Sequence, residues 1–168
     1  MFCYQCEQTA KGTGCAKAGV CGKSPEVAAL QDLLVHASKG ISQYAHRARQ
    51  LGAASRDIDV FTLEALFSTV TNVDFDPARL QALLAKAATT RDKAKALYED
   101  ACRRQGKTPE PVPGPAQWKP AADLAGLVAQ GVKVSIEDRQ QRLGPDLAGL
   151  IELIVYGLKG AAAYADHA

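Results

Sequence analysis

The 168-residue chain has no marked excess of charge of either sign. It carries 20 basic and 18 acidic side chains, which gives a formal net charge of +2. Proteins that bind nucleic acid or anionic lipid through a basic surface normally carry a larger and more clustered excess of positive charge. The even balance therefore argues against nucleic acid and against a membrane surface as partners.

Long hydrophobic runs are also absent. No run approaches the roughly 18 apolar residues of a membrane span, and Met1 is followed almost at once by cysteines instead of the apolar core of a secretion signal. We therefore expect a cytoplasmic protein. In a reducing compartment, clustered thiols are more often metal ligands than disulfides.

The two-residue alternation of polar and apolar side chains that marks β-strands is missing too, and aromatic residues make up only 6% of the chain. Apolar residues instead recur at steps of three and four, which predicts an all-α fold. Ser24 and Pro25 suit the start of a helix and Gly52 suits its end. Helices are expected at 25–50, 60–69, 77–106, 121–130, 135–141 and 145–168.

Prolines are concentrated in one segment. Five of the eight lie within "KTPEPVPGPAQWKP", residues 107–120, which predicts a linker or an extended loop. A chain of this length can bury one core or two small cores joined by a linker.

The first and last predicted helices resemble each other. When 24–48 is aligned with 144–168, an offset of 120, ten of the twenty-five positions are identical. The identical positions include a proline at each start and the Lys-Gly pairs 39–40 and 159–160. A glycine inside a helix costs about 1 kcal/mol relative to alanine, so its presence in both copies predicts close helix packing at Gly40 and at Gly160. Chance similarity between two alanine-rich amphipathic helices is the alternative explanation.

These patterns predict two successive small helical bundles related by an internal repeat. The expected division is a cysteine-rich loop at 1–23, a first bundle at 24–106, a linker at 107–120 and a second bundle at 121–168. The second copy of the repeat lacks the closing glycine of the first, so we expect the second bundle to be truncated and the chain to be a fragment of a longer protein.

Four of the five cysteines lie within the first 21 residues, as Cys3, Cys6, Cys15 and Cys21. Their spacing is C-x₂-C-x₈-C-x₅-C, and glycines between them allow the backbone to wrap closely around a metal centre. An iron–sulfur cluster is the favoured interpretation, because one compact loop can enclose a single cluster. A structural zinc site is the main alternative, and a site with neither is the third.

No other residues form a pattern typical of a catalytic or metal site. Cys102 has no neighbouring cysteine and is expected to be a buried structural side chain. His36, His46 and His167 are isolated histidines on the repeat helices and are assigned no role. We expect no catalytic residues in this chain.

Two segments resemble a known family. "MFCYQCEQTA" followed by "GCAKAGVCGKSPEVAALQDLL" closely resembles the amino terminus of the hybrid cluster proteins, also called hydroxylamine reductases or prismane proteins, and "YGLKGAAAYADHA" resembles a later stretch of their amino-terminal helical domain. In that family this cysteine spacing belongs to the form with a [4Fe–4S] cluster. The resemblance therefore implies that Cys3, Cys6, Cys15 and Cys21 are the four cluster ligands.

The resemblance also implies a longer enzyme that reduces hydroxylamine to ammonia and is linked to nitric oxide reduction. That reaction takes place at a second, hybrid iron–sulfur–oxygen cluster whose ligands come from later domains, so this cluster is not expected in the present chain. The implied role is electron transfer, with a redox protein as donor and the remaining domains of the enzyme as acceptor. The alternative hypothesis is a helical scaffold or binding module with a structural four-cysteine zinc site.

Overall fold

The computed structural model describes residues 1–6 and 13–167. Within them the chain forms six α-helices and one short 3-10 turn, no strands, and a single isolated antiparallel bridge between Cys3 and Cys15. The helices are α1 (Pro25–Gln50), α2 (Arg56–Ser68), α3 (Pro77–Arg104), α4 (Leu124–Val132), α5 (Ile136–Leu143) and α6 (Pro145–Asp166). The prediction of an all-α fold is confirmed.

The long helices begin where the sequence predicts. Ser24 caps α1 by accepting a hydrogen bond from the Val27 amide at 3.1 Å, and Asp76 caps α3 by accepting one from the Ala78 amide at 2.9 Å. The first position of each helix is a proline, whose missing N–H has no partner in a first turn.

α2 and α4 differ from their predicted bounds. α2 begins at Arg56, four residues before the predicted start. Ile58 in its first turn is buried and belongs to the same apolar period as Phe61 and Ala65, and Asp57 and Asp59 favour the positive end of the helix. α4 begins at Leu124 instead of 121, because Asp123 caps it by accepting a hydrogen bond from the Gly126 amide at 2.7 Å.

α1 lies at the centre of the core. It packs along α3 and also contacts α2, α4 and the 3-10 turn (Gly114–Gln117). Leu30, Leu33 and Leu34 of α1 have no exposed surface. Near the other end of α1 the rings of Tyr44 and Tyr98 lie 6.2 Å apart.

The proline-rich segment is packed against this core. Val112 and Ala116 are buried in it, the Ala116 amide donates to Gln43 of α1 at 3.1 Å, and the Glu110 amide donates to the Tyr98 hydroxyl at 3.0 Å. The segment is irregular, as its prolines require, and it packs against both α1 and α3. The division of the chain into two bundles stays a prediction.

The two repeated glycines have different surroundings. A Cβ added to Gly40 would lie 2.7 Å from the carbonyl carbon of Pro115, whereas a Cβ on Gly160 would meet nothing within 4 Å. The prediction of close packing is therefore confirmed at Gly40, where the neighbour is the proline-rich segment instead of a helix. It is wrong at Gly160, where no described part of the chain covers the helix.

α6 is the one helix of the described chain that is long and apolar enough to cross a membrane, with a mean hydropathy of 1.4 over 18 residues. The sequence analysis missed it because Glu152 and Lys159 interrupt the apolar run. Only 28% of that 18-residue window is buried, but the two charged side chains, Glu152 and Lys159, are both buried. Length and composition alone do not separate a membrane span from a helix that packs within a protein, and α6 packs here against α2 and α5.

Candidate metal centre

The first and third cysteines of the chain are held side by side by backbone hydrogen bonds. The Cys15 amide donates to the Cys3 carbonyl, at 2.6 Å, and the Phe2 amide donates to the Cys15 carbonyl at 2.8 Å. Cys15 is buried and Cys3 is half-buried. All five cysteines carry free thiols in the structure.

A glycine beside Cys15 permits this close approach. Gly14 has a φ of +82°, and a Cβ at this position would lie 3.0 Å from the Cys3 carbonyl oxygen and 3.2 Å from the Met1 Cβ. A side chain would therefore be strained by both the backbone conformation and the contact with residues 1–3. Gly14 allows the two segments that carry Cys3 and Cys15 to pair.

Cys21 lies on an exposed turn that is anchored to α1. The turn is closed by hydrogen bonds from the Gly22 amide to the Gly19 carbonyl and from the Gly19 amide to the Lys23 carbonyl, both 2.9 Å. Lys23 is 2% exposed, and its Nζ donates to Gln31 Oε1 of α1 at 2.6 Å. Sequence analysis gave Lys23 no structural role, although it is one of the largest fully buried side chains.

Cys3 and Cys6 lie on a segment that is anchored to α6. With the Gln5 amide oriented to satisfy both neighbours, its nitrogen donates to the Thr69 carbonyl and its oxygen accepts from Lys159 Nζ, each at 3.1 Å. The Tyr4 and Tyr156 rings lie 5.7 Å apart, and the amino terminus pairs with Glu137 of α5. Cys3 and Cys6 are thus attached to a different helix from Cys21.

In the described residues, no three histidine, cysteine or acidic side chains are grouped closely enough to hold a metal ion. Residues 7–12 of the predicted cluster loop, which join Cys6 to Cys15, lie outside the described part of the chain. Four free thiols near one another in sequence have the donor chemistry of an iron–sulfur or a zinc site. The donor set therefore fits such a centre, and the assignment of all four ligands stays a prediction.

A group of charged side chains lies behind Cys3, and sequence analysis missed it. Asp32 of α1, Arg139 of α5, and Glu152 and Lys159 of α6 line a cavity of about 20 Å³ together with Cys3. Arg139 and Glu152 form an ion pair at 2.7 Å, with both side chains largely buried.

Burial shifts the titration of this group. The pKa of Asp32 is raised to about 6 because burial disfavours its charge, and the positive charges of Arg139 and Lys159 oppose this effect. The pKa of Lys159 is lowered to about 8 by burial, against the attraction of Asp32. Burial also raises the pKa of the Tyr4 and Tyr156 hydroxyls.

The internal repeat contains a pattern from which these charged residues could have been predicted. Asp32 and Lys39 correspond to Glu152 and Lys159 at the offset of 120. Asp32 and Glu152 are both acidic but are different residue types, so they are not among the ten identical positions of the repeat. α1 and α6 therefore turn equivalent acidic positions toward one charged cavity.

The remaining candidates behave as structural residues. Cys102 is 2% exposed in the core beside Tyr98, which agrees with the expectation of a buried structural side chain. His167 lies edge-on to Phe67, with the ring centroids 5.5 Å apart. Burial lowers the pKa of His36, and His46 is exposed.

Comparison with known proteins decides the family. The sequence model of the Prismane/CO dehydrogenase family matches residues 1–168. The chain belongs to this family. Members include proteins named hydroxylamine reductase from Rhodospirillum rubrum, which is 57% identical over 168 residues, and from Geobacter sulfurreducens and Geobacter metallireducens, which are 53% and 51% identical over 170 residues.

Each of these alignments covers all of the present chain but only 30 to 31% of the relative. The chain therefore corresponds to about the first third of these Prismane/CO dehydrogenase family members. The resemblance predicted from the two ends of the sequence is confirmed over its whole length, and iron–sulfur clusters are the type of cofactor that this family implies.

Proposed function

We propose that this chain is the amino-terminal electron-transfer region of a hydroxylamine reductase, in which Cys3, Cys6, Cys15 and Cys21 hold a [4Fe–4S] cluster. The observation that carries the proposal is the backbone pairing of Cys3 with Cys15, which places one cysteine from each half of the motif side by side. The names of the relatives that match the whole chain support the wider activity.

A bound [4Fe–4S] cluster would accept and release single electrons. The chain contributes the thiols, a close backbone approach at Gly14, and partial exclusion of water, since Cys15 is 4% exposed. Cys21 is exposed, which would leave one side of the centre open to an electron donor.

The whole enzyme would reduce hydroxylamine to ammonia, and its relation to nitric oxide reduction follows from the same family resemblance. We assign no catalytic residue to the present chain and expect no turnover of hydroxylamine by it alone. Its partners would be a redox protein and the rest of the enzyme, in the cytoplasm.

Metal analysis of anaerobically purified protein tests the ligand assignment. The wild-type chain should contain about four iron and four acid-labile sulfide per molecule, with a broad absorption near ~400 nm that dithionite bleaches. Cys6→Ser should lose most of the iron and sulfide because a ligand is removed.

Cys102→Ser is the matched control, because Cys102 is buried in the α1–α3 core away from the cysteine motif. Its iron and sulfide content should equal that of the wild type. A colourless, folded protein with one zinc per chain would support the scaffold hypothesis instead, and equal loss of iron in both variants would refute the ligand assignment.

A further inference from the structure

The charged cavity behind Cys3 contains most of the unpaired polar atoms of the protein interior. In residues 1–6 and 13–167, five buried side-chain nitrogen and oxygen atoms have no hydrogen-bond partner. Four of the five belong to side chains that line this cavity: the Tyr4 and Tyr156 hydroxyls, Glu152 Oε1 and Arg139 Nε. Buried polar atoms are nearly always paired in folded proteins. Four unpaired atoms at one cavity therefore indicate a bound molecule that pairs with them.

These four groups are close together but do not satisfy one another. Glu152 Oε1 lies 2.7 Å from Arg139 Nη2, and this contact is an ion pair without the geometry of a hydrogen bond. Burial raises the pKa of the Tyr4 hydroxyl, and the nearness of Glu152 and Tyr156 raises it further, yet the two tyrosine rings are tilted by 51° and their hydroxyls are unpaired. One small molecule between the four groups could bond to all of them.

The size of the cavity limits that molecule to a very small one. The cavity volume is about 20 Å³, and one water molecule needs roughly 10 to 15 Å³ on this measure. A second water or a larger organic molecule would need more room than the cavity provides.

The charges around the cavity favour a neutral molecule over an ion. Two acidic side chains, Asp32 and Glu152, face two basic ones, Arg139 and Lys159, so neither sign is in excess. Burial of an additional ion would require an excess of the opposite charge around it.

The types of unpaired atom identify the molecule further. Arg139 Nε–H can only donate a hydrogen bond, an ionised Glu152 Oε1 can only accept one, and the two tyrosine hydroxyls can do either. A metal cation has no lone pair for Arg139, and a simple anion such as chloride has no proton for Glu152. A water molecule supplies both.

We propose that this cavity is the binding site of one internal water molecule. The water accepts a hydrogen bond from Arg139 Nε and donates one to Glu152 Oε1, and its two remaining bonds are made with the hydroxyls of Tyr4 and Tyr156. All four unpaired atoms are then satisfied, and the water has a complete set of partners.

The site joins three parts of the chain. Arg139 belongs to α5, Glu152 and Tyr156 belong to α6, and Tyr4 belongs to the amino-terminal segment that carries the first two cysteines. A bridging water is nearly as favourable as a direct hydrogen bond. The water therefore adds a second attachment of this segment to α6, beside that of Gln5, and the site does not depend on which metal centre the cysteines hold.

A crystal structure of the full-length protein at about 1.5 Å resolution tests the proposal directly. We expect one electron-density peak in the cavity that refines as water, at about 2.6 to 3.2 Å from at least three of the four atoms. A cavity without density, a peak at the distance of about 2.0 to 2.3 Å that is typical of a metal ion, or direct hydrogen bonds among the four side chains would each overturn the proposal.

Thermal unfolding of Tyr156→Phe gives a second test in solution, because phenylalanine keeps the ring and removes only the hydroxyl. Loss of a hydrogen bond to water should lower the unfolding midpoint of the full-length protein by about 1 to 3 °C. Removal of an unsatisfied buried hydroxyl would instead relieve a cost and leave the midpoint unchanged or higher, which would contradict a bound water.

Tyr98→Phe is the matched control in the same assay. The Tyr98 hydroxyl accepts a direct hydrogen bond from the Glu110 amide at 3.0 Å, so its loss should lower the midpoint to a similar extent. A decrease for Tyr98→Phe without a decrease for Tyr156→Phe would show that the Tyr156 hydroxyl has no partner and would refute the water site.

Discussion

Gly40 shows how the surroundings of one residue decide whether glycine is needed. It lies inside α1 with ordinary helical geometry, so its backbone does not require glycine. The requirement comes from Pro115, whose carbonyl carbon would be 2.7 Å from an added Cβ. The Lys-Gly pair in both repeat helices predicted that something packs closely here, but sequence could not identify the neighbour as a proline-rich segment.

Gly40→Ala should destabilise the 168-residue chain by about 1 to 3 kcal/mol, because the new methyl group displaces the segment around Pro115. Gly160→Ala is the matched control at the equivalent position. It should stabilise the same chain by about 0.5 to 1 kcal/mol, because alanine is the better helix former and space is free. Urea unfolding followed by circular dichroism measures both changes, and equal stabilisation at the two sites would contradict the close contact at Gly40.

The cysteine motif was predictable at the level of residue type, because thiol spacing is a local property of the sequence. The supporting residues were not, because Lys23, Asp32 and Glu152 acquire their roles only through contacts between distant segments. Lys23 illustrates the difference. Lysine normally lies at the surface, and here the hydrogen bond to Gln31 and the nearby Phe75 ring stabilise it in its buried position.

At the scale of elements, helix ends with a capping residue beside an apolar period were predicted well. The start of α1 at Pro25 follows from Ser24, and the start of α3 at Pro77 follows from Asp76. The start of α2 was placed four residues late, because the prediction left out Ile58, which belongs to the same apolar period as Phe61 and Ala65. Capping residues therefore located the starts of the long helices, whereas α2 lacked that signal, since Ser55 makes no side-chain capping bond.

Ser24→Ala should lower the free energy of unfolding by about 1 kcal/mol, because the Val27 amide loses the hydrogen bond that caps α1. Ser55→Ala is the matched control. Ser55 occupies the same position before α2 but makes no side-chain capping bond, so its replacement should change stability by less than about 0.5 kcal/mol.

Denaturant unfolding measures both serine variants under the same conditions. If Ser55→Ala costs as much as Ser24→Ala, the capping bond at Ser24 cannot be the source of the difference.

At the scale of the whole molecule, the core extends beyond the boundary of the first predicted bundle. Val112 and Ala116 of the proline-rich segment and Leu127 of α4 belong to the same buried cluster as Leu30 of α1. Gly131 of α4 approaches α1 so closely that a Cβ would lie 2.5 Å from the Ala29 carbonyl carbon. Sequence showed a concentration of prolines but not that the segment packs against α1 around Pro115 and Ala116.

The only tryptophan of the chain reports on this packing. The Trp118 indole donates to Gln130 Oε1 of α4 at 3.1 Å, and Gln130 also donates to the Lys119 carbonyl at 2.8 Å. Because the segment shares a core with α1 and α3, Trp118 fluorescence and the helical signal at 222 nm should change at the same denaturant concentration. Gln130→Ala should shift both transitions together to lower denaturant.

Two separate transitions, with the fluorescence change first, would show that the proline-rich segment detaches before the helices unfold. That result would support a linker that is independent of the core.

The attachment of Cys3 and Cys6 to a different helix from Cys21 has a consequence for assembly. Cys3 and Cys6 follow α6 through Gln5 and Lys159, while Cys21 follows α1 through Lys23 and Gln31. Coordination of one centre by all four thiols would cross-link the two repeat helices at a single point. Since all four thiols lie within the first 21 residues, a bound cofactor and the docking of residues 1–6 on α6 would stabilise each other.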